Sequence, residues 1–299
     1  MISGWLLVLV TIIGFAGLNL ACKVGGMKGA SSLGIVAVLY TAGTVGMFIA
    51  SVAAGLEFSW GMLALAAVGG AGGAFGYLAF VKAMSVGHYA FTTAISCASF
   101  LVTVAFSLVF WEPITNAQVA GVALLVAAVF LITSSSAAGR SGGHGRWGRW
   151  AMMAGLAFAL NSVPQICQSS GARMGMSAPS STFSFTFYIY AAGAAVLVPL
   201  AVRMKAFGGQ GGRWAGRAGR AALISGLLAA AGSMAGNVYV MFAMRSLSEK
   251  IVFPAVLSGT LMAGVLLSLA AFKEKINWIG YLGMAAEVAG IVVLNVFSK

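Results

Sequence analysis

The sequence predicts an all-α integral membrane protein: ten transmembrane helices arranged as two inverted five-helix repeats. Three observations carry this. The 299 residues are 61% hydrophobic and 7% charged, whereas soluble domains carry roughly 25% charged residues. The apolar residues fall into ten runs of membrane-spanning length. Residues 77–121 are also echoed, without a gap, by residues 239–283. Tyr77 falls on Tyr239, Phe80 on Phe242, Phe91 on Phe253 and Ser96 on Ser258. Phe110, Glu112, Ile114 and Gly121 fall on Phe272, Glu274, Ile276 and Gly283. An internal repeat decides architecture ahead of any local pattern.

The first run, 3–22, has no basic residue before it. It lacks the positive leader of a signal peptide and reads as a true first span, with Asn19 inside it. The second run is 33–55 and the third 60–84. The third carries two small-residue stripes for close packing, Gly69 with Gly73 and Gly72 with Gly76. Tyr77 and Phe80 lie on one face of it. The fourth run, 88–110, holds Ser96, and the fifth is 116–136. Residues 137–149 are Gly- and Arg-rich with no apolar period, so they read as a linker between a first repeat, 1–136, and a second, 150–299.

The sixth run, 150–171, carries Asn161, Gln165 and Gln168 around Pro164. Proline frees the carbonyl four residues back, here that of Leu160. Asn161 and Gln165, four apart, share a helix face. The seventh run, 181–202, opens with Phe183, Phe185, Phe187, Tyr188 and Tyr190, the pattern of an interfacial aromatic belt. The eighth, 219–244, repeats the third: Gly232 and Gly236 form its small stripe, and Asn237, Tyr239 and Phe242 follow. The ninth, 250–271, contains Pro254 and Ser258; the tenth, 277–297, contains Glu287.

Five spans per half is an odd number, so the second half enters the membrane in the opposite sense. Inverted repeats are the recurring plan of secondary transporters, with a midplane site between the halves. Asn19 and Asn161, Tyr77 and Tyr239, and Ser96 and Ser258, with Gln165 and Asn237, are therefore candidate substrate-binding residues. Matched aromatics can frame an organic solute; ordinary packing is the alternative. Glu287 sits mid-span, where an ionised acid costs roughly 3 kcal/mol. It is the candidate proton- or ion-coupling residue, with a protonated structural acid as the alternative.

Several classes are excluded or disfavoured. The net charge of +12 comes mostly from short loops between apolar runs, where basic residues set topology and meet lipid headgroups rather than nucleic acid. Asp is absent, and His88 and His144 are the only histidines, so neither aspartyl-protease nor zinc-hydrolase chemistry is available. The Gly-Gly-Gln-Gly-Gly of the loop 203–218 lacks the Gly-Lys-Ser/Thr of a phosphate loop. Cys22, Cys97 and Cys167 have no metal-ligand spacing and read as small buried hydrophobes. No cofactor, metal or enzymatic activity is expected. Neither is a carboxylate in the first span, which carries Asn19 instead. Lys23, Lys82 and the basic residues of the other odd-numbered loops outnumber those of the even loops. The positive-inside rule then puts both termini outside the cytoplasm.

The corner Phe110-Trp111-Glu112-Pro113-Ile114-Thr115, followed by Gln118 and Gly121, resembles the drug/metabolite transporter superfamily. Its closest form there is the ten-helix EamA type. So does Phe272-Lys273-Glu274-Lys275-Ile276-Asn277, followed by Gly283 and Gly290, with Pro254 opening the ninth span. The chain departs from the family where Arg usually follows the second span and Glu57 stands instead. The resemblance implies both termini in the cytoplasm, an orientation preferred here over the charge count. It also implies a secondary transporter of a small organic solute such as an amino acid, metabolite or drug-like compound. Alternating access, with proton-coupled export as one form, would operate in a cell membrane of the bacterial inner-membrane kind. The expected partners are the solute, the bilayer and protons, with the chain as monomer or homodimer. The competing class is a non-transporting membrane receptor or assembly subunit.

Overall fold

The computed structural model describes residues 4–87, 89–110, 115–136, 144–206, 216–273 and 277–296. Glu112, Ile114, Glu274 and Ile276 of the echoed corner lie outside these residues, as does most of the linker. All eleven elements are helices: α1 Gly4–Met27, α2 Ser32–Ala54, α3 Trp60–Val86, α4 Tyr89–Cys97, α5 Phe100–Phe110, α6 Asn116–Ser136, α7 His144–Arg173, α8 Pro179–Arg203, α9 Arg217–Ala243, α10 Glu249–Phe272 and α11 Trp278–Val296. Seven of them are long and apolar enough to cross a membrane. This is the make-up of a multi-pass helical membrane protein.

Two boundaries differ from the sequence expectation. The fourth apolar run is interrupted: α4 stops at Cys97 and α5 starts at Phe100. Ala98 and Ser99 form a tight turn, with Ser99 N–H donating to Ser96 O (3.2 Å) and Leu101 N–H to Ala98 O (2.9 Å). An uninterrupted run of apolar residues does not record such a break. The second difference is at α7, which begins at His144, inside the stretch read as linker.

Local chemistry explains the helix ends. Ser31 and Ser59 cap α2 and α3, their hydroxyls accepting from Gly34 N–H (2.9 Å) and Met62 N–H (3.1 Å). Gly29 (φ 81°) ends α1 and Gly175 (φ 84°) follows α7, both in the left-handed region. Each sits in a six-to-one turn, Ala30 N–H to Gly25 O (3.0 Å) and Met176 N–H to Gly171 O (2.9 Å).

The packing partners come in exchanged pairs. α1 lies on α9 and α3 on α7; α2 also packs on α9 as α3 does on α8; α6 and α11 lie together. Glycine lets these backbones approach. A Cβ on Gly14 would lie 2.8 Å from Gly232 O, and one on Gly72 would lie 2.8 Å from Val163 Cβ. The α2–α8 contact is reciprocal. Tyr40 stacks over Gly193, Tyr190 over Gly43, and the two rings face each other tilted at 5.6 Å. Tyr-x-x-Gly occurs in both helices, a signal the sequence analysis passed over.

The loop after α2 is clamped to the start of α8. The Glu57 carboxylate accepts from the hydroxyls of Ser180 and Ser181, and Glu57 N–H donates to Ser184 Oγ (2.9 Å). These hydroxyls hold the Glu57 carboxyl below the usual 4.5. Lys23 stands near the end of α1. Its ammonium donates to the carbonyls of Met84 (3.2 Å) and Gly87 (3.5 Å) at the end of α3, where a cation also suits the helix dipole.

Candidate functional site

A cavity lies among α1, α3, α4, α7, α9 and α10, enclosing about 680 Å³ of space, its open mouth included. It is built around two interruptions, the α4–α5 break and Pro164 inside α7. The i, i+4 pair on α7 grips the break. Gln165 Nε2 donates to Ser99 Oγ (2.6 Å), and Gln165 Oε1 accepts from Thr103 Oγ1 (2.9 Å). Asn161 Nδ2 donates to Ser96 Oγ (2.8 Å). Gly76 on α3 leaves the room Asn161 occupies: a Cβ there would overlap Asn161 Oδ1.

A second set of hydrogen bonds closes another wall. Gln168 Nε2 donates to Asn237 Oδ1 (2.6 Å). Asn237 Nδ2 donates to Tyr190 OH (3.1 Å) and Ser233 O (2.8 Å), and Tyr190 OH donates to Ser233 Oγ (2.6 Å). Asn237 is thereby tied to α7 and α8 as well as to its own helix.

Two buried polar atoms on the cavity wall have no protein partner, Asn161 Oδ1 and Thr260 Oγ1. Their residues are 9% and 2% exposed. Buried polar groups are ordinarily paired, and leaving one unpaired costs about 1–3 kcal/mol. The described lining carries no charged side chain and is otherwise aromatic and aliphatic, with Phe15, Phe80 and Phe253 among it. Such a lining offers a neutral solute apolar surface with a few polar side chains set into it.

Of the residues singled out by sequence, Asn19, Tyr77, Ser96, Asn161, Gln165 and Asn237 line this cavity together. Three do not. Tyr239 is half-buried and packs edge-on against Phe242 (6.3 Å between centroids). Ser258 is buried in α10 away from the lining. Glu287 is 1% exposed and both its carboxyl oxygens lack a partner, yet it stands behind the wall rather than on it.

Sequence reasoning missed Thr260, Ser99 and Thr103. Thr260 falls opposite Ala98 when 239–283 is laid on 77–121, a pairing of a polar with an apolar residue that drew no notice. Ser99 and Thr103 were hidden in an apolar run whose period says nothing about a two-residue turn.

No family model and no curated protein matches the sequence. Among solved structures 28 chains match. One, a crystal structure of a protein, superimposes with TM-score 0.71 at 19% identity, over 98% of this chain and 96% of that chain. At that identity the likeness speaks for the fold alone.

Proposed function

We propose that the chain is a secondary transporter of a small neutral or zwitterionic organic solute, working by alternating access in a cell membrane. In this reading it has ten spans in two inverted five-helix repeats, α4 and α5 forming one broken span, in the manner of EamA-type drug/metabolite transporters. The exchanged helix pairs support the repeat, as do the matching glycine turns after α1 and α7 and the reciprocal Tyr-x-x-Gly contact. The observation that carries the proposal is the cavity between the halves. It sits at the α4–α5 break and beside Pro164 of α7, and two of its lining residues, Asn161 and Thr260, carry a buried oxygen with no protein partner. Interrupted helices with spare polar groups mark transport sites, and a bound solute supplies the missing partners. Glu287 is assigned the coupling role, as a buried mid-span acid that does not touch solute.

The test is solute flux into liposomes carrying the purified chain, across a panel first narrowed by thermal shift. Saturable uptake is expected. Thr260→Val removes a hydroxyl that bonds to nothing in the protein, so the variant keeps the stability of the parent. One lost solute hydrogen bond of about 1 kcal/mol raises KM roughly fivefold. Stability and KM both unchanged would remove the hydroxyl from the site. Specific binding with no flux for any solute would favour a receptor instead.

A further inference from the structure

Three cations meet at one end of the α1–α9 pair. The Schellman turn at Gly29 sets Lys28 at the end of α1, and Arg217 and Arg220 stand in the first turn of α9. Gly25 and Ser225 bring the two helices into close contact: a Cβ on Gly25 would lie 2.7 Å from Ser225 Cβ. That contact fixes the spacing of the cations, which share one open pocket with Ser225 and Ile224, about 580 Å³ in extent. Among the described residues no carboxylate reaches them. Glu57 is held by α8, Glu249 opens α10 after α9 has ended, and Glu287 is buried in α11.

Like charges gathered without a counter-ion repel, so the arrangement calls for an anion. The pocket is polar at the chain end and apolar below. Ile224 and Leu228 continue from it along α9, 58% and 60% exposed. Arginine forks suit phosphate oxygens in pairs, and lysine adds a point charge. We propose that Lys28, Arg217 and Arg220 form a specific site for the phosphate of an anionic membrane lipid, whose acyl chains lie along Ile224 and Leu228. A free phosphate would satisfy the cations alone, whereas a lipid phosphate is held by its acyl chains at the edge of the same bilayer that covers that apolar face. This site is separate from the solute cavity and does not depend on its function.

Equilibrium binding of a fluorescent phosphatidylglycerol to the purified full chain, with phosphatidylcholine as the neutral comparison, tests the proposal. The expected result is a preference for phosphatidylglycerol that falls roughly fivefold per charge removed at low salt. Lys28→Gln/Arg217→Gln/Arg220→Gln should abolish it. Lys28→Arg/Arg217→Lys/Arg220→Lys should keep most of it, which separates charge from misfolding. Arg245→Gln, at the other end of α9, should leave it intact. An undiminished preference in the neutralised variant overturns the site. Displacement of the lipid by inorganic phosphate at equal concentration overturns the lipid assignment in favour of a free anion.

Discussion

Glu57 shows how much one side chain can organise at a loop. It joins the α2–α3 loop to α8 through two serine hydroxyls and its own N–H. Hydrogen bonds to the charged form hold the carboxyl below the usual 4.5. The sign follows: the contribution is complete above pH 4.5 and fades as pH falls from there through the lower folded-state value. Glu57→Gln should flatten that acid limb of the stability curve and hasten proteolysis within residues 55–59. An unchanged acid limb would mean the clamp contributes nothing. Neither serine drew notice in the sequence, because a carboxylate and a distant helix start share no local pattern. Asn161 and Gln165 were legible for the opposite reason: their i, i+4 spacing beside Pro164 is local.

At the scale of elements, paired helices decide the fold, and small residues decide how closely they pair. Gly43 and Gly193 each receive the other half's tyrosine ring. Gly193→Ala drives a methyl into Tyr40, and its cost is expected at about 1–3 kcal/mol, read as lowered Tm of the purified protein. Gly155→Ala, where a Cβ meets nothing within 4 Å, should leave Tm in place. An equal fall in both would show that the tyrosine contact is not the cause, because replacing Gly by Ala raises helix propensity. The long apolar helices were legible because span length is set by bilayer thickness, and seven of those described reach that length. The α4–α5 break was not, because a two-residue turn such as Ala98–Ser99 leaves composition unchanged. Its partner in the echo, residues 260–261, stays helical within α10, so the echo could not announce it.

The whole molecule packs its helices in exchanged pairs, and the cavity among them is not symmetric. The echo of 77–121 in 239–283 pointed to Tyr77 and Ser96, which line the cavity, and equally to Tyr239 and Ser258, which do not. Sequence symmetry survives where helices pack, whereas the site draws different faces from each half. Glu287 is a mid-span acid with no counterpart, since the same offset carried past the echo sets it opposite Leu125. Glu287→Gln should abolish solute accumulation driven by a proton gradient while leaving downhill flux; an unchanged pH dependence would assign Glu287 a structural role. The central claim is that one cavity opens to each side of the membrane in turn. Leu257→Cys, in a chain whose Cys22, Cys97 and Cys167 are replaced by Ala, puts a single thiol on the cavity wall. In sealed vesicles a membrane-impermeant thiol reagent should modify it from either face, more slowly with solute present. Modification from one face alone, with or without solute, would contradict alternating access.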